Sequence, residues 1–255
     1  MSTRTTIVLA NEKGGTGKST LAVHLAVALA AEGRRVALFD LDQRQKTSVR
    51  YLENRARHAE RHGLLLPMPV AAVLPEGADA AAVAAATDAD ILLFDTPGRD
   101  SAEARQALAM ADTLVTPIND SFIDFDLIGQ VDGDSFRVTR PSFYAETVWK
   151  ARQARARADG ASVDWVVLRN RLSTLEARNR RRVGDALAEL AKRVGFRVVP
   201  GLSERVIYRE LFPSGLTLLD AEQLGAPTMS HVAARAELRE LLAALAIDST
   251  RQAAC

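Results

Sequence analysis

Short apolar runs alternate along the chain with longer stretches in which apolar residues recur at helical spacing. The runs predict strands at 6–10, 36–39, 91–94, 113–117, 165–168 and 196–199. The stretches between them predict helices near 18–32, 44–61, 77–88, 101–110, 122–137, 174–194 and 229–246. Strands that are apolar on both faces and separated by helices indicate a mostly parallel, twisted sheet with helices on both faces. We therefore expect a single α/β domain over residues 1–255.

A glycine-rich loop joins the first strand to the first helix. Residues 13–20 read K-G-G-T-G-K-S-T, and their glycines let several backbone N–H groups turn toward phosphate oxygens. Lys18 adds a charge at the phosphates, and Ser19 offers a hydroxyl to Mg²⁺. Strand, loop and helix N-terminus together form an anion site. The predicted nucleotide-binding residues of this loop are Gly14, Gly15, Thr16, Gly17, Lys18, Ser19 and Thr20.

Carboxylates follow two of the other predicted strands. Asp40 and Asp42 come after the second strand at i and i+2, so both point the same way. That direction is the carboxyl edge of the sheet, where folds of this class bind ligands. Residues 91–94 are apolar and end in Asp95, which is the form of a strand whose aspartate holds Mg²⁺ through water. The sequence thus predicts a nucleotide–Mg²⁺ site at this edge.

The sequence also bears on which base the nucleotide carries. The chain contains no N-K-x-D tetrapeptide of the kind that reads guanine. ATP is therefore favoured over GTP. The strand near 165–168 is followed closely by Asn170, which is a candidate for contact with the base or a plain residue of the turn.

Two departures from the commonest phosphate loop are informative. Glu12 stands where that pattern has glycine, and Lys13 is a second lysine at the front of the loop. The run K-G-G-x-G-K-[ST] resembles the deviant Walker A signature of the ParA/MinD family of dimerising P-loop ATPases. The resemblance implies a nucleotide-sandwich homodimer in which Lys13 reaches the partner's ATP.

The same resemblance implies roles for individual residues. Lys13, Lys18 and Asp42 form the catalytic set, with Asp42 positioning the attacking water. Ser19, Asp40 and Asp95 hold Mg²⁺, the two carboxylates through water. Asn170 contacts adenine, and the segment 96–98 senses the γ-phosphate.

Four segments resemble one branch of this family, the division-site regulators. They are 11–15, 119–122, 164–171 and 205–213. This likeness implies ATP-dependent dimers that bind DNA non-specifically, interaction with the partition protein ParB, and inhibition of polymerisation of the tubulin-like protein FtsZ. It also implies a cytoplasmic, nucleoid-associated protein enriched at the cell poles.

Charge is distributed unevenly. The net charge is only +1, but residues 150–210 hold 15 Lys and Arg against 7 Asp and Glu, a net of +8, and the remainder carries −7. This asymmetry predicts a surface that faces a polyanion. On a helical wheel Arg178, Arg181 and Arg182 fall opposite Leu187 and Leu190, as do Lys192 and Arg193. The predicted DNA-backbone contacts are Arg171, Arg178, Arg182, Lys192, Arg193, Arg205 and Arg209.

Three alternatives stay open. A ParA-type partition ATPase has the same chemistry, and a MinD-type membrane ATPase would need a basic amphipathic helix at the C-terminal end. The stretch 229–246 mixes charges of both signs, which favours a packed helix and no membrane insertion. The third is a metabolic ATP-dependent enzyme of the same fold. The one cysteine, Cys255, fits a reducing cytoplasm, and no secretory signal is expected.

Overall fold

The computed structural model describes residues 4–119, 122–131, 138–172, 177–220, 223 and 228–247, without the side chains of 122–123, 130–131, 138–139, 141 and 177–183. The strands are β1 Thr5–Leu9, β2 Val36–Asp40, β3 Val70–Val73, β4 Ile91–Asp95, β5 Thr113–Asn119, β6 Gly129–Val131, β7 Val138–Pro141, β8 Asp164–Asn170 and β9 Arg197–Val199. The α-helices are α1 Lys18–Ala31, α2 Thr47–His62, α3 Ala80–Ala86, α4 Ala102–Met110, α5 Phe122–Phe125, α6 Phe143–Asp159, α7 Ala177–Val194, α8 Ile207–Leu211 and α9 Met229–Leu245.

Seven of the described strands form one sheet in the order β3-β2-β4-β1-β5-β8-β9. Every neighbouring pair in that sheet is parallel, which confirms the predicted α/β class. One apolar layer packs α1, α2, α8 and α9 on one face, and a second packs α3, α4, α6 and α7 on the other. Because β1 lies between β4 and β5, the loops after these strands open into one crevice at the carboxyl edge.

The prediction of a single helix over 122–137 is wrong. Helix α5 ends at Phe125, two turn hydrogen bonds follow it, and Gly129 begins a strand that pairs antiparallel with β7. Local pairing between β6 and β7 therefore replaces the helix that the apolar spacing indicated.

Helix α6 was not predicted. The Ser142 hydroxyl begins it by accepting a hydrogen bond from the N–H of Ala145 at 3.0 Å. Tyr144, Val148 and Ala151 then form a buried stripe at helical spacing. Many arginines in the second half of the helix hide this stripe in the sequence. The edge strand β3 was also missed, because its side chains alternate between exposed and half-buried.

Helices α7 and α9 pack as the sequence predicts. Leu187 and Leu190 of α7 are fully buried, as are Leu238, Leu241 and Leu245 of α9. The apolar face of α9 thus lies against the sheet and α1. No helix within the described ranges is long and apolar enough to cross a membrane.

Candidate nucleotide site

The phosphate loop turns at two glycines with left-handed backbone. Gly15 has φ +77° and Gly17 has φ +85°, a region that favours glycine. A Cβ on Gly17 would lie 2.3 Å from Nδ2 of Asn170, so a side chain there has no room. Asn11 anchors the front of the loop: its Oδ1 accepts from the N–H of Lys13 at 2.6 Å, and its Nδ2 donates to the carbonyl of Pro117 at 2.6 Å. These contacts fix the backbone at the front of the loop.

Asn170 braces this loop from the end of β8, two strands away from β1 in the sheet. Its Nδ2 donates to the carbonyl oxygen of Thr16 at 2.7 Å, and its Oδ1 accepts from the N–H of Arg171 at 3.0 Å. The side chain is buried and lines the cavity next to the loop. The residue for which the family resemblance implies an adenine contact therefore fixes the position of the loop.

Strand register brings two carboxylates together. Asp40 and Asp95 are partners at the ends of β2 and β4, and Leu9 of β1 pairs with Asp95 from the other side. Asp40 is buried and accepts from the N–H of Ser48 at 3.0 Å, from its hydroxyl at 2.8 Å and from the N–H of Asp42 at 2.9 Å. Burial raises the pKa of Asp40, and these hydrogen bonds oppose the rise. Asp40 thus caps α2 from inside the site.

Asp95 carries the unsatisfied charge of the site. It is buried, and its Oδ1 has no hydrogen-bond partner among the described residues. Burial, followed by the charge of Asp40, raises the pKa of Asp95 to about 7, while Ser19 and Ser48 lower it. An orphaned carboxylate oxygen beside a serine hydroxyl fits a hydrated cation.

Lys18 supplies the positive charge at the floor of the cleft. It is buried, and its Nζ donates to the carbonyl of Lys13 at 3.0 Å. Burial lowers the pKa of Lys18, and the charges of Asp95 and Asp42 counteract that effect. A buried ammonium held by one carbonyl retains two N–H donors for an anion in the loop.

Asp42 lines the same cleft from the loop after β2. Its Oδ1 accepts from the N–H groups of Arg44 and Gln45, both at 3.2 Å, so the carboxylate also shapes its own turn. Across the cleft, Thr96 Oγ1 donates to the carbonyl of Leu9 at 3.0 Å. A Cβ on Gly98 would lie 2.9 Å from the amide nitrogen of Gly14. The segment 96–98, for which the family resemblance implies a γ-phosphate sensor, therefore lies directly against the phosphate loop.

Lys13 stands at the mouth of the loop. Its ammonium forms an ion pair with Asp124, whose side chain is 2% exposed, while that of Lys13 is 43% exposed. Asp124 Oδ2 also accepts from the N–H of Asn119 at 2.9 Å. Sequence reasoning missed Asp124, since an aspartate in a stretch predicted as helix carries no signal of a lysine 111 positions away.

A cavity of about 90 Å³ opens beside the loop, lined by Thr20, His24, Asn170, Arg171, Leu202, Tyr208 and Leu238 among others. His24 is buried in its wall and donates from Nδ1 to the carbonyl of Thr20 at 2.8 Å. Its ring meets those of Tyr51 and Tyr208 edge-on. Nothing in the sequence singles out His24 or Tyr208 as residues of this wall. A base would occupy the cavity if its phosphates lay in the loop.

Comparison with known proteins agrees with this geometry. The family model described as ATPase MipZ matches residues 5–249. The chain belongs to the MipZ family of ATPases. The chromosome-partitioning ATPase Soj of Thermus thermophilus is 36% identical over 134 residues, which cover 44% of this chain and 53% of Soj. The match thus spans about half the length of that relative.

Solved structures show the same fold as this MipZ-family chain. Cyanothece McdA in a complex with ATP has a TM-score of 0.65 at 17% identity, over 97% of this chain and 98% of McdA. The septum site-determining protein MinD of Pyrococcus horikoshii, solved with Mg-ADP, has a TM-score of 0.59 at 18% identity, over 95% and 97% of the two chains. The predicted membership of the ParA/MinD group of P-loop ATPases is confirmed.

Some of the basic residues of the +8 segment of this MipZ-family chain contact other side chains of the same chain. Arg155 bonds Asp112 at 2.8 Å, Arg197 bonds Asp164 at 2.7 Å and Arg152 lies over the Trp165 ring at 5.7 Å. These three cations of the +8 segment stabilise the fold. Three of the 15 Lys and Arg residues of that segment are thus engaged within the fold.

The predicted DNA contacts separate into groups. Arg205 is largely buried and bonds Glu237 at 2.6 Å, and Arg171 lies at the nucleotide cleft. Lys192, Arg193 and Arg209 are exposed, with Arg193 paired to Glu189 and Arg209 to Glu204. The side chains of Arg178 and Arg182 lie outside the described residues, as do Asp120, Ser121 and Cys255.

Proposed function

We propose that this protein is an ATP-dependent dimerising switch that positions the bacterial division site. The observation that carries the proposal is the contrast between the two lysines of one phosphate loop. Lys18 is buried at its floor, while Lys13 is half exposed at its mouth. A buried lysine serves the nucleotide of its own chain, and an exposed one can serve a nucleotide brought by a second copy.

Mg²⁺ and ATP fit the residues present. Ser19 and, through water, Asp40 and Asp95 would hold the cation, since Oδ1 of Asp95 accepts no hydrogen bond from the part of the chain that the structure describes. The ion would neutralise phosphate charge next to two buried carboxylates. The chain itself contributes the loop N–H groups, the Lys18 ammonium and the Asp42 carboxylate that orients water.

Hydrolysis should be slow. A switch needs a long-lived ATP state, so turnover should lie below the roughly 1–10³ s⁻¹ common among enzymes. Asp42 supports this view, because its Oδ1 is shared with two backbone N–H groups. One oxygen of this carboxylate is therefore already engaged in its own turn.

DNA binding is proposed for the dimer. Leu172 and Ser203 pair at the carboxyl edge of the sheet, and α7 and α8 begin a few residues later in the chain, at Ala177 and Ile207. Arg178 and Arg182 occupy the first turns of α7, and Arg209 is exposed on α8. Two such edges on one duplex would add avidity, and phosphate contacts would make binding salt-dependent and sequence-independent. Lys192 and Arg193, at the far end of α7, would contribute less.

The partners of the proposed switch are ParB for the monomer and FtsZ for the dimer, with nucleoid association and enrichment at the poles. What supports this choice is the family match over residues 5–249. The alternatives are a ParA-type partition ATPase, a MinD-type membrane ATPase and a metabolic enzyme of the same fold.

Size-exclusion chromatography with light scattering tests the switch. The wild type should be monomeric with ADP and dimeric with a slowly hydrolysed ATP analogue, and Lys18→Ala should be monomeric with both. A double-stranded DNA probe should co-elute only with the dimer. A constant mass in both nucleotides would contradict the proposal.

An FtsZ polymerisation assay separates the alternatives. Light scattering by FtsZ with GTP should fall when the ATP-analogue dimer is added, and the ADP form is the matched control. A dimer that binds DNA without affecting FtsZ would indicate a partition ATPase. Sedimentation with anionic vesicles would indicate the MinD-type function, and nucleotide binding without dimers would favour a metabolic enzyme.

A further inference from the structure

We propose that Arg171 is a nucleotide-binding residue of its own chain, holding the ribose–phosphate segment of ATP or ADP between the base cavity and the phosphate loop. The first support is its location. Arg171 lines both the cleft of the phosphate loop and the cavity beside it. A nucleotide with its phosphates in the loop and its base in the cavity must pass this side chain.

The second support is charge. Of the described residues that line the phosphate cleft, the cations are Lys18 and Arg171. Lys18 is buried at the floor, whereas Arg171 is exposed at the rim. Within the described part of the chain, no acidic side chain pairs with the Arg171 guanidinium. A planar guanidinium without a partner can form charge-assisted hydrogen bonds to a phosphate or a ribose oxygen.

The third support is the backbone. Arg171 has φ +56°, a left-handed conformation that is uncommon for residues other than glycine. Such conformations persist where the surroundings enforce them, often at ligand sites. Asn170 enforces this one by joining the N–H of Arg171 to the carbonyl of Thr16 in the phosphate loop. The next residue is fixed too, since the N–H of Leu172 donates to the carbonyl of Leu202 at 3.0 Å.

This chain of bonds gives Arg171 a defined place relative to the phosphate site. Hydrogen bonds join the loop, the Asn170 side chain and the Arg171 backbone, and the Arg171 side chain lines the cleft. The role proposed here rests on the nucleotide site and is independent of the DNA proposal. It replaces the sequence-based assignment of Arg171 to DNA.

Calorimetric titration of the monomer with ADP tests the inference. We expect Arg171→Ala to weaken ADP binding about tenfold, as for loss of one charge-assisted contact. Arg171→Lys should recover part of that loss. Arg157→Ala, an exposed arginine at the end of α6, is the matched charge control and should bind ADP as the wild type does.

A second titration with a slowly hydrolysed ATP analogue locates the contact. Equal losses for ADP and the analogue are expected, because both share the ribose and the inner phosphates. A loss for the analogue alone would assign Arg171 to the γ-phosphate or to a partner's nucleotide, and would overturn the proposal. Unchanged affinity for both nucleotides, with weaker DNA binding, would restore the DNA assignment. Thermal unfolding without nucleotide should match the wild type, and a variant that unfolds early is replaced by Arg171→Asn, since asparagine tolerates the left-handed backbone.

Discussion

The ammonium of Lys13 forms an ion pair with the buried carboxylate of Asp124. The lysine proposed to act on a second chain is thus held within its own chain in this structure. Asp124 is fixed in turn by the N–H of Asn119 at the end of β5. Dimerisation through Lys13 therefore requires this pair to open or to be shared.

Lys13→Ala should abolish the ATP-dependent dimer and keep ADP binding within about twofold, because Lys18 and the loop N–H groups remain. The variant also leaves the buried Asp124 carboxylate without its counter-ion, which should lower the free energy of unfolding by ~1–3 kcal/mol. Light scattering with the ATP analogue and urea unfolding measure the two effects.

The double variant Lys13→Ala with Asp124→Asn separates these effects. Asparagine removes the unpaired charge, so stability should return toward that of the wild type while dimers stay absent. Dimers that persist in either variant would refute the role of Lys13 in trans.

Asp42→Ala should trap the ATP-bound dimer, with hydrolysis lowered about 10²-fold and assembly preserved. Because Asp42 also caps its own turn, the alanine variant removes a structural contact as well. Asp42→Asn retains a side-chain oxygen that can accept the hydrogen bonds of that turn, and it removes the negative charge. If Asp42→Asn hydrolyses ATP normally, the carboxylate acts only on the turn and not on water.

Gly17→Ala should lose nucleotide binding and stability together. The new Cβ would lie 2.3 Å from Asn170 Nδ2 at φ +85°, which costs ~1–3 kcal/mol and displaces the brace of the loop. Gly14→Ala is the stability control, since a Cβ there has no heavy atom within 4 Å. Equal melting temperatures for the two variants would contradict the packing described at Gly17.

His24 should make stability depend on pH. Burial lowers its pKa to about 4 from an ordinary 6.5, so the unfolded chain binds a proton that the folded chain excludes. Stability from this group is complete above pH 6.5 and is lost as the pH falls toward 4, by up to ~3 kcal/mol. The groups that face it are Tyr51, Tyr208 and the mutually paired Arg55 and Asp220.

Urea unfolding at several pH values between 7.5 and 4.5 measures this effect. The difference between wild type and His24→Gln isolates it, because carboxyl groups with raised pKa values contribute equally to both. Parallel curves for the two proteins would show that His24 is not the titrating group.

The sequence predicted the elements whose pattern is local and pure. The strands that end at Leu9, Asp40 and Asp95 each contain an unbroken apolar run, and the glycine loop follows the first of them. Chain order and parallel pairing then place their ends together, so the phosphate site could be predicted before the structure. Segments that mix apolar and charged residues were not predicted. The arginines of α6 obscure its apolar stripe, and β3 lies at an edge of the sheet where exposed side chains are tolerated.

Long-range polar pairs could not be predicted. Arg55 is fully buried, with bonds to Asp220 at 2.7 and 2.9 Å across 165 positions. Arg205 likewise turns inward to Glu237. The sequence does not distinguish an arginine on the surface from one in a buried ion pair. The net charge of the segment 150–210 therefore overestimated the number of cations that are open to a polyanion.

The cavity beside the phosphate loop acquires its last wall from α9. Leu238 of that helix lines the cavity, and its neighbour Glu237 holds both Ser203 and Arg205. Helix α9 follows every other wall along the chain, so a nascent polypeptide meets ATP with an unfinished pocket. We therefore expect tight nucleotide binding to require a docked α9, and nucleotide to stabilise the completed fold in preference to a chain that lacks this helix.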